Sequence, residues 1–306
     1  IGYIDNEAEN TIVIGAHYDH LGFGDEGSLH RGKPAIHNGA DDNASGTAAL
    51  LELARYFKDN NATANNYMFV AFSGEEKGLL GSNYFANHST VDLKKVNYMI
   101  NMDMVGRLNK DKMLAISGAG TSALWKESLE KIQCGGIQIK TDDSGVGPSD
   151  HTSFYLKDIP VLHFWTGTHR DYHKPSDDSD KINYEGEAFI IAFIESLIHE
   201  LDNKGKLNFI KTNNDENKET PRFKVTLGVI PDYIFDGEGM RIDGITEGRP
   251  AANAGLKEGD IVIHMGHIEV VDIHSYMKAL SVFEKGQTTK VTVQRGEEKV
   301  KVDVTF

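Results

Sequence analysis

The sequence has one cysteine, Cys134, in 306 residues, which excludes an intramolecular disulfide and any cysteine-held zinc or iron–sulfur cluster. Any metal in this chain must therefore be held by imidazole and carboxylate. Positive charge is also short: 32 Lys and Arg against 46 Asp and Glu leave a formal charge of -14. A nucleic-acid backbone or an anionic membrane surface would be repelled. No apolar run approaches the length that spans a bilayer, and no low-complexity tract argues for disorder over the whole chain. The chain begins at Ile1 and not at Met, which reads as a processed or trimmed chain whose signal peptide, if it had one, is already gone.

What is present is enough chain for about two domains of ordinary size. Over the first two thirds, β-branched runs at 11–16, 67–72 and 96–102 alternate with helical patterns at 46–57, 77–87 and 121–133. Further strands are expected at 113–116, 136–140 and 159–164, and a long amphipathic helix at 184–201. That rhythm predicts an α/β fold, a doubly wound mixed sheet with helices on both faces, over residues 1–210. Residues 211–220, KTNNDENKET, hold no apolar side chain and read as a polar linker. From 221 to 306 short strands with turn signals dominate, with one helix expected at 273–283, so a small, mainly β domain follows.

Five segments carry the chemistry. The first strand ends in His17-Tyr18-Asp19; in an open α/β sheet ligands sit beyond the carboxyl ends of the strands, so this His points into the crevice. Taken alone the signal is weak, and a strand-end His beside a solvated Asp is the more common reading. Asn38-Gly39-Ala40-Asp41-Asp42-Asn43-Ala44-Ser45-Gly46 precedes a helix. Capping accounts for Asn43 or Ser45, though not for two adjacent Asp, and a carboxylate there can bridge two cations. The third strand runs into Ser73-Gly74-Glu75-Glu76, whose consecutive acids point in different directions, and the fourth ends in Asp103. An Asp closing so apolar a run needs a cation or a hydrogen-bond partner. Asp171-Tyr172-His173-Lys174-Pro175 follows the strand at 159–164, and His163 and His169 are given no role. Nitrogen and oxygen donors without sulfur suit zinc, with cobalt or manganese as substitutes. There are more donors than one structural ion uses, and the surplus favours two metals sharing a bridging carboxylate, an arrangement suited to hydrolysis.

On these residues the chain resembles the M28 family of co-catalytic zinc aminopeptidases, through AHYDHLG at 16–22, GADDNASG at 39–46, SGEEKGLLGS at 73–82, NMDMVG at 101–106 and YHKPSDD at 172–178. The resemblance covers residues 1 to about 205. It implies a metallo-exopeptidase with two Zn2+ per chain: His17 and Asp103 on one ion, Glu76 and His173 on the other, and Asp42 bridging. It further implies Asp19 orienting His17, Glu75 as general base, and Tyr172 supplying a phenol to the oxyanion. The Asp42–Asn43 peptide is expected to be cis, and Ser149-Asp150-His151 to give hydrogen-bonding support. Peptides are the implied substrates, their free α-amino group drawn by Glu75 and Asp103. Relatives usually have chain ahead of the first motif, so part of the sheet edge is expected to be absent or supplied by a partner.

The second part resembles a bacterial-type PDZ domain through GRPAANAGLKEGD at 248–260 and the terminal hairpin at 290–306. Thr226, Leu227, Gly228, Val229 and Ile230 would then form the loop that caps a peptide C-terminus, unless the groove is filled by the chain's own segment 231–235. A fused PDZ domain resembles exported bacterial peptidases, which implies a periplasmic or extracellular location. Two other functions stay open: a single-zinc glutaminyl-cyclase-like transferase, and an inactive peptide-binding scaffold.

Overall fold

The computed structural model describes residues 1–24, 27–60, 62–202, 204–212, 225–232, 235, 237–246 and 248–306. The chain forms two compact units, Ile1–Thr166 with His173–Asn214, and Gly167–Tyr172 with Asp215–Phe306. Most of the expected linker, 213–220, lies outside the described residues. Among the described residues no helix is long and apolar enough to cross a membrane.

The first unit runs β1 (Gly2–Ile4), β2 (Thr11–His17), α1 (Gly46–Asp59), β3 (Asn66–Phe72), α2 (Leu80–Asn87), β4 (Val96–Met102), β5 (Met113–Ser117), α3 (Leu124–Lys131), β6 (Gln138–Asp142), α4 (His151–Tyr155), β7 (Val161–Trp165) and α5 (Tyr184–Leu201). Its seven strands lie in the order β1-β3-β2-β4-β7-β5-β6. The sheet is mixed: β2, β3, β4 and β7 are parallel, β6 is parallel to β5, while β1 pairs antiparallel with β3 and β5 with β7. Alternation along β2 sends Ile12, Ile14 and Ala16 into a core under Leu53, Phe57, Phe193 and Leu197 of α1 and α5, and Val13 into a second core with Phe85 and Phe154 of α2 and α4. Two covered faces explain why the central strands read as near-continuous apolar runs. In α5 the apolar positions 190, 193, 194, 197, 198 and 201 form one buried stripe. Each such Phe or Leu contributes roughly 1.5–3 kcal/mol on burial.

Where element boundaries depart from expectation, backbone chemistry is the reason. α2 begins at Leu80 and not at 77, because Gly78 (φ 97°) and Leu79 (φ 59°) are left-handed and their N–H groups close a turn onto the Glu75 carbonyl. α3 begins at Leu124, since Thr121 Oγ1 donates to the carbonyls of Gly118 and Val161. The left-handed pair Gly135–Gly136 delays β6 to Gln138, and Pro160, which has no N–H, precedes β7. At the sheet edge β1 covers the free side of β3, with Gly2 opposite Phe69. The short α4 was not anticipated.

The second unit adds β8 (Val229–Pro231), β9 (Met240–Ile245), α6 (Pro250–Asn253), β10 (Ile261–Met265), β11 (Ile268–Glu269), α7 (Ile273–Ser281), β12 (Thr288–Arg295) and β13 (Glu298–Thr305). The order is β13-β12-β10-β9-β8, with β11 on β10 and every pair antiparallel. Its core gathers Leu227, Met240, Ile242, Val262, Leu280 and Phe283. Gly228 (φ 76°) is obligatory in its loop, because a Cβ there would meet Arg249 Cβ at 2.1 Å. Leu227 is fully buried and the Gly228 N–H is taken by Thr226 Oγ1 at 3.0 Å. This narrows the expectation for that loop, since neither group is free for a ligand; the Ile230 side chain lies outside the described residues.

Two outcomes follow. Arg295 grips the buried Asp260 through Nε and Nη2, both at 2.7 Å, so Arg295→Ala should lower stability by about 2–3 kcal/mol in a denaturant melt. In the first unit, burial and then the Asp41 charge push Glu187 up to about 7. Its folded value lies above its unfolded one, so its stabilising contribution is present below about pH 4.5 and lost as pH rises through about 7. Glu187→Gln should remove that decline, gaining on the order of 3 kcal/mol over the native chain by pH 8.

Candidate active site

β3, β2 and β4 are neighbours with aligned carboxyl ends, His17 lying opposite Phe72 and Gly15 opposite Asn101. The chain leaves β2 for β3 on one flank and then crosses to β4 on the other, so a crevice opens at the switch between β2 and β4. His17 closes β2, Glu75 and Glu76 follow β3, and Asp103 follows β4. Asp42 reaches the same place from the loop ahead of α1.

That loop is stitched to the end of β4. Asn43 Oδ1 accepts from the N–H of Gly46 (3.0 Å) and Met104 (3.1 Å), and its Nδ2 donates to the Met102 carbonyl at 3.0 Å. Asp41 Oδ1 accepts from the Gly106 N–H at 2.7 Å, and Ser45 Oγ from that of Val105 at 3.1 Å. Asp177, fully buried, accepts from the N–H groups of Asp41 and Asp42 at 2.9 and 3.1 Å and pairs with Arg107. Capping therefore accounts for only part of Asn43's work. The Asp42–Asn43 peptide is cis, as the resemblance implies.

The donors converge in two triads. His17 Nε2 lies 3.4 Å from Asp42 Oδ1 and 3.3 Å from Asp103 Oδ1. His173 Nε2 lies 3.2 Å from Asp42 Oδ2 and 3.2 Å from Glu76 Oε2. Two ligands on one tetrahedral ion at about 2.0–2.1 Å are about 3.3 Å apart, so all four separations fit ion-binding edges. Glu75 Oε2 stands 4.0 Å from His17 Nε2, and its backbone N–H donates to Asp19 Oδ1 at 3.2 Å.

The electrostatics are those of a crowded acidic hollow. Burial first, then the Asp103 charge, pushes Glu75 up to about 9. Burial also raises Asp42, against the hydrogen bond to His173. Burial alone would depress His17, but Asp103, Glu75 and Asp42 carry it up to about 11; Asp42 and Glu76 similarly carry His173 up to about 10. Asp103 is driven well below the usual carboxylate range, because His17 outweighs burial.

One assignment changes. The Asp19 carboxylate is 3.8 Å from His17 Nδ1, whereas the Asp19 main-chain carbonyl accepts from it at 3.1 Å. A rigid carbonyl holds the ring, and the carboxylate serves the Glu75 backbone instead. Tyr172 immediately precedes His173, and its assignment rests on that adjacency. In the supporting segment Ser149 Oγ donates to Asp103 Oδ2 at 2.8 Å, while the buried side chains of Asp150 and His151 lack hydrogen-bond partners among the described residues. His163 turns out to be fully enclosed, stacked on His151 at 4.5 Å and held below its usual range, at about 4, by burial. Sequence reasoning missed His20, whose Nδ1 lies 2.7 Å from Glu76 Oε1; a second His three residues after His17 was the available signal.

The model of peptidase family M28 matches residues 1–196 and that of the PDZ domain residues 210–306. Aminopeptidase YwaD of Bacillus subtilis is 30% identical over 186 residues, covering 58% of this chain and 38% of its own length, so the chain spans well under half of that relative. Among solved structures, BSAP, a zinc aminopeptidase from Bacillus subtilis, superposes with a TM-score of 0.51 at 26% identity, over 67% of this chain and 48% of that one. Porphyromonas gingivalis glutaminyl cyclase superposes with a TM-score of 0.54 over 66% of this chain and 76% of that one, and at 20% identity the likeness is one of fold. With its strand order, its donor-bearing strand ends and a family match over most of its length, the chain belongs to peptidase family M28 and carries a C-terminal PDZ domain.

Proposed function

We propose that the first unit is a zinc-dependent aminopeptidase with two metal ions, releasing N-terminal residues from peptides. The observation that carries this reading is the pair of donor triads sharing Asp42, with all four histidine–carboxylate edges between 3.2 and 3.4 Å. His17 and Asp103 would hold one ion, Glu76 and His173 the other, and the two oxygens of Asp42 would serve one each. Zinc is supported by the nitrogen and oxygen donor set and by the solved zinc aminopeptidase of similar fold. When bound, the ions supply Lewis acidity, lowering the pKa of water and polarising the scissile carbonyl.

This chain's own residues then do the following. Glu75, its backbone pinned by Asp19, accepts the proton of the attacking water and returns it to the departing amine. Its high value without cations reflects burial and Asp103; nearby dications favour the ionised, basic form. Glu75 and Asp103 leave an acidic wall that suits a substrate's α-ammonium group. We assign Tyr172 to the developing oxyanion, and the β8 edge at Val229 and Ile230 to a peptide C-terminus. A glutaminyl-cyclase-like transferase would share the fold, but two complete triads favour a two-metal hydrolase.

Glu75→Gln keeps the shape and removes the base. Turnover of a leucine anilide should fall by about 10³-fold or more, with the zinc content of the purified protein unchanged. Undiminished turnover would remove Glu75 from the scheme, and a native chain that cyclises an N-terminal Gln peptide but leaves the anilide intact would favour the transferase.

A further inference from the structure

Glu76 sits in the irregular turn after β3, between the left-handed Gly74 (φ 71°) and Gly78 (φ 97°). A regular element does not fix its side chain. Its two oxygens nevertheless have different neighbours: Oε2 faces His173 Nε2 at 3.2 Å, and Oε1 faces His20 Nδ1 at 2.7 Å. His20 Nδ1, Asp42 and Glu76 are close enough together to hold an ion, so His20 could be read as a ligand. The distances decide otherwise. A contact of 2.7 Å is a charge-assisted hydrogen bond and is too short for two ligands on one tetrahedral ion, which lie about 3.3 Å apart. The separation of His20 Nδ1 from Asp42 Oδ2, 3.9 Å, is too long for the same edge.

The ring is held in place from several sides. Gly39 (φ 59°) makes room for it, since a Cβ there would stand 2.7 Å from both Cγ and Cδ2 of His20. His173 meets it edge-on, with centroids 5.9 Å apart at 70°. His37 lies 6.3 Å away and is itself fixed by Ser28 Oγ (2.7 Å) and the Ala35 carbonyl (3.0 Å). His20 Nε2 is buried and has no hydrogen-bond partner among the described residues, so Nδ1 carries the proton that Glu76 accepts.

We propose that His20 is the positioning residue of Glu76: its Nδ1–H holds Oε1, leaving Oε2 turned toward Asp42 and His173. The inference rests on the two-metal reading and deepens it. His20 does for Glu76 what the Asp19 carbonyl does for His17 and the Gly27 carbonyl does for His173. Outer partners of this kind set metal affinity.

The test is a zinc titration of the metal-free full chain against a competing chelator, for the native protein, His20→Ala and His20→Asn, with circular dichroism to show that each is folded. Asn can place an amide N–H near the position of Nδ1. His20→Ala should weaken one zinc by about 10–100-fold and leave the other at its native affinity, and His20→Asn should recover most of the loss. Cobalt substitution should show the same coordination number in native and His20→Ala proteins at saturating metal. Native affinity for both ions in His20→Ala would overturn the proposal, as would a cobalt spectrum reporting a lost ligand or a failure of Asn to rescue. If the native chain takes up a single zinc, the two-metal reading fails separately, and His20→Ala still decides: weakening of that ion supports the positioning role, and no change overturns it.

Discussion

Like charge buried together is the constraint on which this molecule turns. Asp42 shares donor clusters with Asp103 on one side and Glu76 on the other, their ligand atoms within 4.8 Å, and Glu75 stands beside them. At that separation, with an effective dielectric of about 20, each ionised pair repels by roughly 3–4 kcal/mol. His17 and His173 relieve this only by taking up protons far more readily than usual, to about 11 and about 10. Metal cations bound among these donors would relieve it directly. The acids are held in place by hydrogen-bonding neighbours: Asn43, Ser45 and Asp177 for the Asp42 loop, Ser149 for Asp103, His20 for Glu76.

The fold supplies the convergence. β2, β3 and β4 end together because they are parallel and in register, and the reversal of direction after β3 opens the crevice between β2 and β4. The same architecture serves a cyclase of low sequence identity. The donors and the base, and not the sheet, therefore decide the chemistry.

Much of this was legible in the residues. β4 and α5 coincide with their apolar patterns, Val96–Met102 and Tyr184–Leu201, because a strand covered on both faces and a long amphipathic helix leave strong periodic signals. Asp103 was legible because a carboxylate closing an apolar strand is costly to bury without a cation or a hydrogen-bond donor beside it, and the remaining donor motifs through their resemblance to one family. Weaker signals were lost for physical reasons. β1 has three residues and α4 five, too short for periodicity, and their identity comes from tertiary pairing. α2 lost its first turn to a left-handed Gly78–Leu79 pair. The orienting contact of Asp19 passes through its main chain, which no side-chain pattern can announce. His20 and Asp177 act on other side chains or on backbone N–H groups across 56 and 135–136 positions, and such distances are set only when the chain closes.

Whether two ions share Asp42 is best decided by diffraction from crystals grown with zinc, with anomalous data collected on both sides of the zinc absorption edge. Two peaks about 3.5–4 Å apart are expected, one bounded by His17 and Asp103, the other by Glu76 and His173, with Asp42 reaching both. Density for no ion among those side chains, or for one ion with the remaining triad turned away from it, would contradict the account.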